Sequence, residues 1–346
     1  MKYIQIGTGG FGEYWCKAVY PGIASVAQPV AAVDVNEAAL ENAVKLLGLA
    51  PDRCYADARR AMRENRADFA VIVVPPQFHE QMIDLALENG MDVVCEKPLA
   101  ESMEACCRIY RKVKAAGARL TVTMSHRFEV EKQTVEALVR GGHYGKPNYI
   151  VGRLTMRRTG GKAFRADAPE SLIPNALIHQ LDTVRGIARC NAQTVYADCW
   201  PFFPEEERDG AGLSAFAQVV MENGVRACLE ASFANATTLN KWSDEYLRVE
   251  CAQATIVADR REVGVYSHLG YPWPAEARMH LLNQEHWDHA LIVRQFVRWI
   301  SGGEAPPTCL EDNLQCCALV YAAVESARSH TAVHVQDFLK RHMEMP

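Results

Sequence analysis

Residues 2–12 read KYIQIGTGGFG, a short apolar strand that runs directly into a G-x-G-x-x-G turn. Such a turn needs glycines where a strand gives way to a helix. Gly7 permits the tight turn, Gly9 lets a pyrophosphate approach the backbone without a Cβ in the way, and Gly12 allows close packing of helix on strand. The N–H groups at the start of the helix then face the phosphates. This stretch therefore predicts a dinucleotide-binding βα unit.

A carboxylate follows at the spacing that this kind of site requires. A second apolar strand, 29–33, ends at Asp34, roughly 20 positions beyond the turn, where an acidic side chain accepts hydrogen bonds from an adenosine ribose. The next residues, Val35 and Asn36, include no arginine for a 2′-phosphate, so we expect NAD rather than NADP. The residues expected to bind the cofactor here are Gly7, Thr8, Gly9, Gly10, Phe11, Gly12 and Asp34.

Composition narrows the class of protein. A chain of 346 residues is too long for one ordinary core, so we expect two domains. The net charge of -5 and the lack of a basic block argue against nucleic acid as a partner. No apolar run approaches the roughly 18 residues of a membrane span, and the N-terminus carries no signal-like segment. The 12 cysteines lack zinc-site spacing and indicate reduced thiols in the cytoplasm.

Strand and helix patterns alternate over the first 125 residues. The strand at 69–74 is apolar throughout, as expected for a strand covered by helices on both faces. Asn36 caps a helix that ends before Gly48, and Gly117 closes another helix. The further elements are helices at 78–88 and 102–116 and strands at 91–96 and 119–124. This order predicts an α/β fold whose residues 1–125 form a Rossmann domain with a doubly wound parallel sheet.

Beyond residue 141, strand follows strand. The strand patterns cover 148–156, 195–199, 214–221, 225–232, 246–251 and 255–258. Asn223-Gly224, between two alternating runs, predicts a two-residue hairpin turn. A helix at 175–187 and two late helices, 286–300 and 310–329, complete the pattern. We expect residues 126–346 to form an α+β domain with a large, mainly antiparallel open sheet, whose last helices pack back on the Rossmann domain.

Motifs along the whole chain resemble one family. They are the glycine turn, Val74-Pro75-Pro76 with His79, Glu96-Lys97-Pro98-Leu99, Arg127-Phe128, His179 with Asp182, Leu247-Arg248-Val249-Glu250, and Ala323-Val324-Glu325-Ser326-Ala327. In them the chain resembles the glucose-fructose oxidoreductase / inositol dehydrogenase (Gfo/Idh/MocA) family. The resemblance implies a Rossmann domain joined to an open-sheet domain that binds substrate and pairs with a copy of itself in a homodimer or homotetramer. It also implies cofactor contacts from Pro75, His79, Glu96, Lys97 and Ser125.

Lys97 is the first candidate catalytic residue. It follows the strand at 91–96, so it projects from the carboxyl edge of the sheet, where open α/β sheets bind ligands. An ammonium partly shielded from water there has a lowered pKa and can exchange a proton with a substrate hydroxyl. The alternative is a surface lysine paired with Glu96. The resemblance implies that the bond before Pro98 is cis.

Asn175, His179 and Asp182 are spaced i, i+4 and i+7, so they share one face of a helix if Pro174 starts it. The resemblance implies that His179 is the catalytic histidine acting together with Lys97. A core histidine is the alternative for His179, and Asp182 is either a substrate contact or only an orienting group.

Two positions depart from the family pattern. Asn175 stands where many relatives carry an aspartate, and an amide binds a hydroxyl but cannot take a proton. We expect Asn175 to position the substrate. The stretch 125–128 reads SHRF where relatives often have two arginines, so the contacts of Arg127 with substrate and cofactor are expected to differ.

A basic stretch follows the first strand of the second half. It contains Arg153, Arg157, Arg158, Lys162 and Arg165. A guanidinium there, such as that of Arg157, suits a carboxylate, sulfonate or phosphate on a sugar. A solvated or oligomer-contacting basic strand is the alternative. The sequence His286-Trp287-Asp288-His289 lacks further metal ligands, so we expect no metal.

These observations predict an NAD-dependent dehydrogenase that acts on a secondary hydroxyl or ketone of a sugar, sugar derivative or cyclitol. Lys97 and His179 would handle the hydroxyl proton. Two alternatives remain open. One is a redox glycosidase or lyase that works through a keto-sugar intermediate and releases no net NADH, and the other is a catalytically impaired NAD-binding sensor.

Overall fold

The computed structural model of the protein describes residues 1–157, 169–201, 212–267 and 275–345. The chain divides into two compact units. The first unit comprises Met1–Ser125 and Glu285–Cys317, and the second comprises His126–Gln284 and Ala318–Pro346.

The first unit is built on a six-stranded sheet in the order β3-β2-β1-β4-β5-β6. Its strands are β1 Lys2–Ile6, β2 Gln28–Val33, β3 Cys54–Tyr55, β4 Phe69–Ile72, β5 Asp92–Cys95 and β6 Leu120–Val122. Every pairing among them is parallel. The chain winds outward in one direction from β1 and in the other from β4, so the sheet switches direction between these two strands. The predicted doubly wound parallel sheet is confirmed.

Helices flank this sheet and recur in the second half of the chain. They are α1 Phe11–Tyr14, α2 Tyr20–Ile23, α3 Glu37–Leu47, α4 Ala58–Glu64, α5 His79–Glu88, α6 Met103–Ala116, α7 Val130–Arg140, α8 Ile178–Ala188, α9 Asp288–Ile300, α10 Leu310–Ser329 and α11 Val335–Glu344. A π-helical turn, Trp15–Val19, joins α1 to α2. Among the described residues, no helix combines the length and the apolar character needed to cross a membrane.

The helix ends predicted from the sequence are confirmed. The side chains of Asn36 and Ser102 accept a hydrogen bond from the backbone N–H three residues further on, which caps α3 and α6. Gly48 and Gly117 end the same helices in the left-handed conformation, at φ 68° and 64°. A glycine takes this conformation without the strain that a Cβ would cause.

The helix α9 belongs to the first unit although it follows most of the second unit in the sequence. Its Val293 and Phe296 are completely buried in one apolar cluster with Tyr3 and Phe69. The rings of Phe69 and Phe296 meet edge to face, with centroids 5.5 Å apart. This packing fixes the start of α9 against the sheet that carries the glycine turn.

The second unit contains a nine-stranded sheet in the order β14-β13-β12-β11-β7-β10-β9-β8-β15. The strands are β7 Pro147–Thr155, β8 Ala192–Pro201, β9 Leu213–Met221, β10 Arg226–Ser232, β11 Tyr246–Cys251, β12 Ala254–Asp259, β13 Glu262–Ser267, β14 Ala275–Met279 and β15 Val333–His334. Only β7 and β10 pair in parallel among these neighbours. The expected large, mainly antiparallel sheet is confirmed.

Some details of the second unit differ from the expectation. The sequence did not predict five elements of this unit. The strands β13, β14 and β15 lengthen the sheet, and the helices α7 and α11 pack against it. The hairpin between β9 and β10 has three loop residues, 222–224, instead of two, because Met221 and Val225 still pair through the backbone. Gly224 takes φ +87° at the third position of the loop, which accommodates the extra residue.

Candidate active site

In the glycine turn between β1 and α1, two positions leave no room for a Cβ atom and therefore require glycine. Gly7 has φ +85°, and a Cβ on it would lie 2.0 Å from the carbonyl oxygen of Val73. A Cβ on Gly12 would lie 2.4 Å from the carbonyl oxygen of Gly7. A Cβ on Gly9, in contrast, would meet only ordinary contacts, the nearest at 3.4 Å. Packing within the protein does not require Gly9, which fits a residue kept small so that a ligand can approach its backbone.

Asp34 lies beside this turn, just beyond β2. Its Oδ2 accepts hydrogen bonds from the backbone N–H groups of Thr8 and Gly9, both at 2.8 Å. Its Oδ1 accepts one from the backbone N–H of Asn36 at 2.9 Å. The turn and the carboxylate identified in the sequence therefore come together. The carboxylate brings a negative charge to the turn, and this charge opposes binding of an additional phosphate nearby.

Lys97 follows the end of β5, at the carboxyl edge of the parallel sheet. Its peptide bond to Pro98 is cis, as the family resemblance implies. Burial lowers the pKa of Lys97 to about 8, although the neighbouring Glu96 carboxylate acts in the opposite direction. A lysine with this pKa exchanges protons near neutral pH far more readily than an exposed one. Its surroundings therefore suit a general acid or base.

The side chain of Glu96 contacts Trp15 and His289, two residues that the sequence analysis did not connect with it. The Trp15 indole N–H donates to Glu96 Oε1 at 2.9 Å, and the His289 Nε2 lies 3.2 Å from the same oxygen. Burial alone would raise the pKa of Glu96, but the hydrogen bond and charge of His289 outweigh it and lower that pKa. Glu96 is thus an ionised, buried carboxylate. No local signal in the sequence could have revealed a partner almost 200 positions away.

His79 links two loops of the first unit through its ring nitrogens, and its expected cofactor contact stays a prediction. It is completely buried, and its Nε2 lies 2.8 Å from the carbonyl oxygen of Val74. Its Nδ1 lies 3.1 and 3.2 Å from the carbonyl oxygens of Pro98 and Leu99. The ring therefore ties the turn after β4 to the loop after β5. We assign His79 to bracing these two loops.

The other two expected cofactor contacts on loops of the first unit have different environments. Pro75 is exposed and opens the turn that leads into α5. Ser125 is buried, and its backbone N–H donates to the carbonyl oxygen of Thr123 at 2.8 Å. Pro75 is accessible to a ligand, whereas Ser125 is mainly part of the turn after β6.

The segment that carries Asn175, His179 and Asp182 is not one regular α-helix. Asn175 lies in a π-helical turn, Ile173–Leu177, and the other two residues lie on α8. The expected i, i+4, i+7 face is therefore altered at its first member, because a π-helical turn inserts an extra residue per turn. Asn175 is half-buried, while His179 and Asp182 are buried.

His179 is stacked on a second histidine. The rings of His126 and His179 lie face to face with centroids 3.6 Å apart and planes 11° from parallel. The indole of Trp242 meets both rings edge on, at 5.5 and 5.8 Å. The His126 Nδ1 lies 2.6 Å from Glu245 Oε1. The sequence gave no sign of this stack.

A buried lysine anchors the carboxylate that holds His126. The Lys132 ammonium pairs with the carboxylates of Glu129 and Glu245 and lies 3.9 Å from Glu131. Despite burial, the charges of His126 and Lys132 hold the pKa of Glu245 well below its usual range. Burial raises the pKa of Glu131 to about 7. This cluster is therefore a network of opposite charges and not a set of isolated groups.

The same cluster has the spacing of a metal site. One ligand atom each from His126, Glu129 and Glu245 lies within 4.8 Å of the others, and all three residues are buried. The Lys132 ammonium lies among these carboxylates and supplies positive charge of the kind that a metal would bring. We assign no metal to these residues.

Asp182 and Arg127 neutralise each other inside the second unit. Arg127 Nη1 lies 3.4 Å from Asp182 Oδ1, and Arg185 Nη1 lies 3.8 Å from the same oxygen. Asp182 is 1% exposed. A Cβ on Gly186 would lie 2.5 Å from the Arg127 Nε, so the guanidinium packs directly on α8. These contacts favour the orienting role of Asp182, and the expected contacts of Asp182 and Arg127 with substrate stay predictions.

Arg157 is tied to a neighbouring loop. Its Nη1 donates to the carbonyl oxygen of Ala236 at 3.0 Å, and its backbone N–H donates to Thr238 Oγ1 at 3.0 Å. The side chain is exposed. The other cations beyond it in the basic stretch, Arg158, Lys162 and Arg165, lie outside the described residues.

Comparisons with known proteins agree with this arrangement. The family model described as an oxidoreductase family with an NAD-binding Rossmann fold matches residues 1–124, and the model of the GFO/IDH/MocA C-terminal domain matches residues 132–257. The uncharacterized protein y4oX of Sinorhizobium fredii is 36% identical, over 98% of this chain and 97% of that protein. The chain belongs to the GFO/IDH/MocA family.

Two further proteins are less similar to this chain in sequence. The D-apiose dehydrogenase of Rhizobium rhizogenes is 26% identical, over 82% of this chain and 84% of that enzyme. A crystal structure of an oxidoreductase from Agrobacterium radiobacter in complex with NAD+, L-tartaric acid and magnesium is 21% identical and has a TM-score of 0.81, over 97% of this chain and 99% of that one. The first unit is thus the NAD-binding Rossmann domain of a GFO/IDH/MocA oxidoreductase.

Proposed function

We propose that the protein is an NAD-dependent dehydrogenase that interconverts a secondary alcohol and a ketone on a sugar, sugar derivative or cyclitol. The observation that carries this proposal is Lys97, a half-buried lysine at the carboxyl edge of the NAD-binding sheet whose pKa is lowered by desolvation to about 8. Relatives named D-apiose dehydrogenase and inositol 2-dehydrogenase act on polyhydroxylated substrates, which supports the substrate class.

In the proposed reaction, the chain supplies proton transfer and orientation. When bound, NAD would lie against the glycine turn and Asp34 and supply the hydride acceptor. The neutral amine of Lys97 accepts the proton of the reacting hydroxyl, and the same group returns it in the reverse direction. His179 binds that hydroxyl through its imidazole, and Asn175 binds a neighbouring hydroxyl through its amide.

The cofactor preference follows from Asp34. Its carboxylate favours the free hydroxyls of an NAD ribose and repels the 2′-phosphate of NADP. We expect a preference for NAD of about tenfold or more, which corresponds to about 1.4 kcal/mol in binding free energy. Dissociation constants for the two cofactors, measured by fluorescence titration of the purified protein, check this. Equal constants, or tighter binding of NADP, would contradict the role of Asp34.

The central experiment is a screen of polyols, uronates and glycosides with NAD, in which the absorbance of NADH is followed. We expect at least one polyol or uronate to produce NADH with the wild-type protein. Lys97→Ala and His179→Ala should each lower turnover about 10² to 10⁴-fold on that compound while NAD affinity changes only a few fold. Asn175→Ala should lower turnover less than either. Wild-type turnover by Lys97→Ala would refute the proposed role of the lysine.

The same screen separates the alternatives. A redox glycosidase would cleave a glycoside without net NADH, which product analysis detects. A sensor would bind NAD and leave all compounds unchanged, before and after Asn175→Asp. We favour the dehydrogenase because the glycine turn, Asp34, Lys97 and His179 are all retained.

We also propose a homodimer or homotetramer in the cytoplasm. The twelve cysteines all lie in the described part of the chain and are free thiols, which suits a reducing compartment. On one face of the nine-stranded sheet, the rings of Tyr196, Phe216 and Trp200 lie close together, and Trp200 is 41% exposed. Light scattering coupled to size-exclusion chromatography measures the oligomeric state, and a monomer at all concentrations would refute it.

A further inference from the structure

His289 is the buried histidine of the sequence His286-Trp287-Asp288-His289, for which the proposed reaction gives no role. It lies at the start of α9 and is 6% exposed. Three rings lie around it, one from the glycine turn and two from the segment that follows the turn. The ring centroids of Phe11, Tyr14 and Trp15 lie 5.7, 5.8 and 5.3 Å from that of His289. An imidazolium gains favourable electrostatic contact with the face of such a ring.

Two carboxylates flank the His289 ring. Its Nε2 lies 3.2 Å from Glu96 Oε1, and its Nδ1 lies 3.6 Å from Asp288 Oδ1. Burial alone would lower the pKa of His289, but the two carboxylates raise it to about 9. The ring is therefore a cation at neutral pH. Asp288 takes φ +60°, a backbone conformation that costs energy for a residue with a Cβ and is often found at functional sites.

Both oxygens of Glu96 are engaged. Oε1 is shared by Trp15 and His289, and Oε2 accepts the backbone N–H of Lys97 at 3.1 Å. Glu96 therefore connects His289, which contacts its Oε1, with Lys97, whose backbone N–H donates to its Oε2. The charge of Glu96 favours the protonated form of Lys97 against the effect of burial.

We infer that His289 is a positioning residue for the catalytic lysine, because its imidazolium fixes the Glu96 carboxylate and offsets the negative charge that this carboxylate presents to Lys97. The inference rests on the proposed function in so far as Lys97 is the acid-base group. His289 acts through Glu96.

The titratable groups around Glu96 determine the direction in which the pKa of Lys97 should shift when His289 loses its charge. Glu96 faces His289 and Lys97, and the charge of Glu96 also acts on Cys95 and His79. Glu96 and Asp288 are the carboxylates that face His289. Loss of the cation leaves Glu96 less compensated, so Lys97 should hold its proton more tightly. We expect an upward shift of about 0.5 to 1 pH unit in its titration, which leaves about three- to tenfold less neutral amine at pH 7.

The test is the titration of Lys97 itself, which needs no substrate. The full-length protein is acetylated with trace acetic anhydride from pH 6 to 11, and the labelling rate of the peptide that contains Lys97 is measured by mass spectrometry. His289→Gln removes the charge and keeps a hydrogen-bond donor. His286→Gln is the matched control, because His286 lies three positions earlier and its Nε2 is 3.5 Å from the exposed Glu285.

We expect the midpoint for Lys97 to rise in His289→Gln and to stay at the wild-type value in His286→Gln. A lower Tm for His289→Gln with an unmoved midpoint would show a purely structural histidine and overturn the inference. If His289→Gln does not fold, Glu96→Gln tests the same link, since removal of the carboxylate should lower the midpoint. An unchanged midpoint in Glu96→Gln would overturn the inference as well.

Kinetics then separate this inference from the proposed function. With a substrate from the screen, the pH limb of kcat/KM should move upward in His289→Gln by the same amount as the labelling midpoint. If the labelling midpoint moves but no alcohol is ever oxidised, the link from His289 to Lys97 stands and the dehydrogenase proposal fails. If alcohols are oxidised but the labelling midpoint does not move, the dehydrogenase proposal stands and the link from His289 to Lys97 fails.

Discussion

The pH dependence of turnover is the sharpest consequence of the site around Lys97. Burial lowers the pKa of this lysine to about 8. At pH 7 roughly one molecule in eleven then carries the neutral amine, whereas an ordinary lysine with a pKa of about 10.5 would have only about three in ten thousand. The folded environment thus supplies about 300 times more base at neutral pH.

This fraction sets the shape of the rate profile. For alcohol oxidation, kcat/KM should climb about tenfold per pH unit below pH 8 and level off above it, because only the neutral amine accepts a proton. For ketone reduction the dependence is reversed, because the ammonium is the proton donor, and the rate should fall above pH 8. The pH profiles of oxidation and of reduction should therefore report the same pKa, that of Lys97.

The assay is steady-state kcat/KM from pH 6 to 10.5 at low alcohol concentration, followed by NADH absorbance, with Lys97→Ala as the control. The variant should lose the limb near pH 8 together with most of its turnover. A wild-type limb near pH 10.5, or a profile without a limb between pH 6.5 and 9.5, would refute the assignment of Lys97 as a base whose pKa is lowered by burial.

Three further predictions concern other parts of the structure. Gly12→Ala should destabilise the first unit by more than 2 kcal/mol, on the order of an overpacked core position, since its Cβ would lie 2.4 Å from a backbone oxygen, and thermal unfolding measures this. Asp34→Asn should bring the dissociation constants for NAD and NADP to within a few fold, and a retained tenfold preference would exclude the carboxylate as its source. His126→Ala should lower kcat by about tenfold or more, on the scale of a misplaced reacting group, whereas His126→Phe, which keeps a ring on His179, should retain more turnover. Equal kcat in both variants would argue against the stack as the cause.

The parts of the fold that were predictable from the sequence depend on local interactions. Ser102 and Gly117 bound α6 because a cap side chain and a left-handed glycine act on residues within a few positions. The parallel order of the first sheet followed from repeated βα units, which allow few arrangements. These features need no knowledge of distant partners.

The errors in the second unit arise where the local signal is weak or ambiguous. The strand β13 contains Gly264, and the short strand β14 has the sequence AEARM, in which Ala and Glu are residue types depleted in strands. Neither therefore gives a strong strand pattern. Asn223-Gly224 fits both a two-residue and a three-residue loop, and the register of β9 against β10 decides between them. The π-helical turn at 173–177 has no distinctive spacing.

The candidate site shows the same division. Lys97, Glu96 and His179 were visible in the sequence, but the distant partners of Glu96 and His179 were not. Glu96 reaches His289 across almost 200 positions, and His179 stacks on His126 across about 50. Contacts of this kind depend on which strand ends and helices meet after folding.

This division has a consequence for how the family motif should be interpreted. A lysine after Glu96 is compatible with any proton affinity between that of an exposed ammonium and that of a buried amine, since burial and the neighbouring carboxylate act in opposite directions. The balance is decided by the charge that compensates Glu96, here His289. Relatives that share the motif but lack a cation at this place should therefore oxidise alcohols with a pH limb at higher pH, even though their catalytic residues are the same.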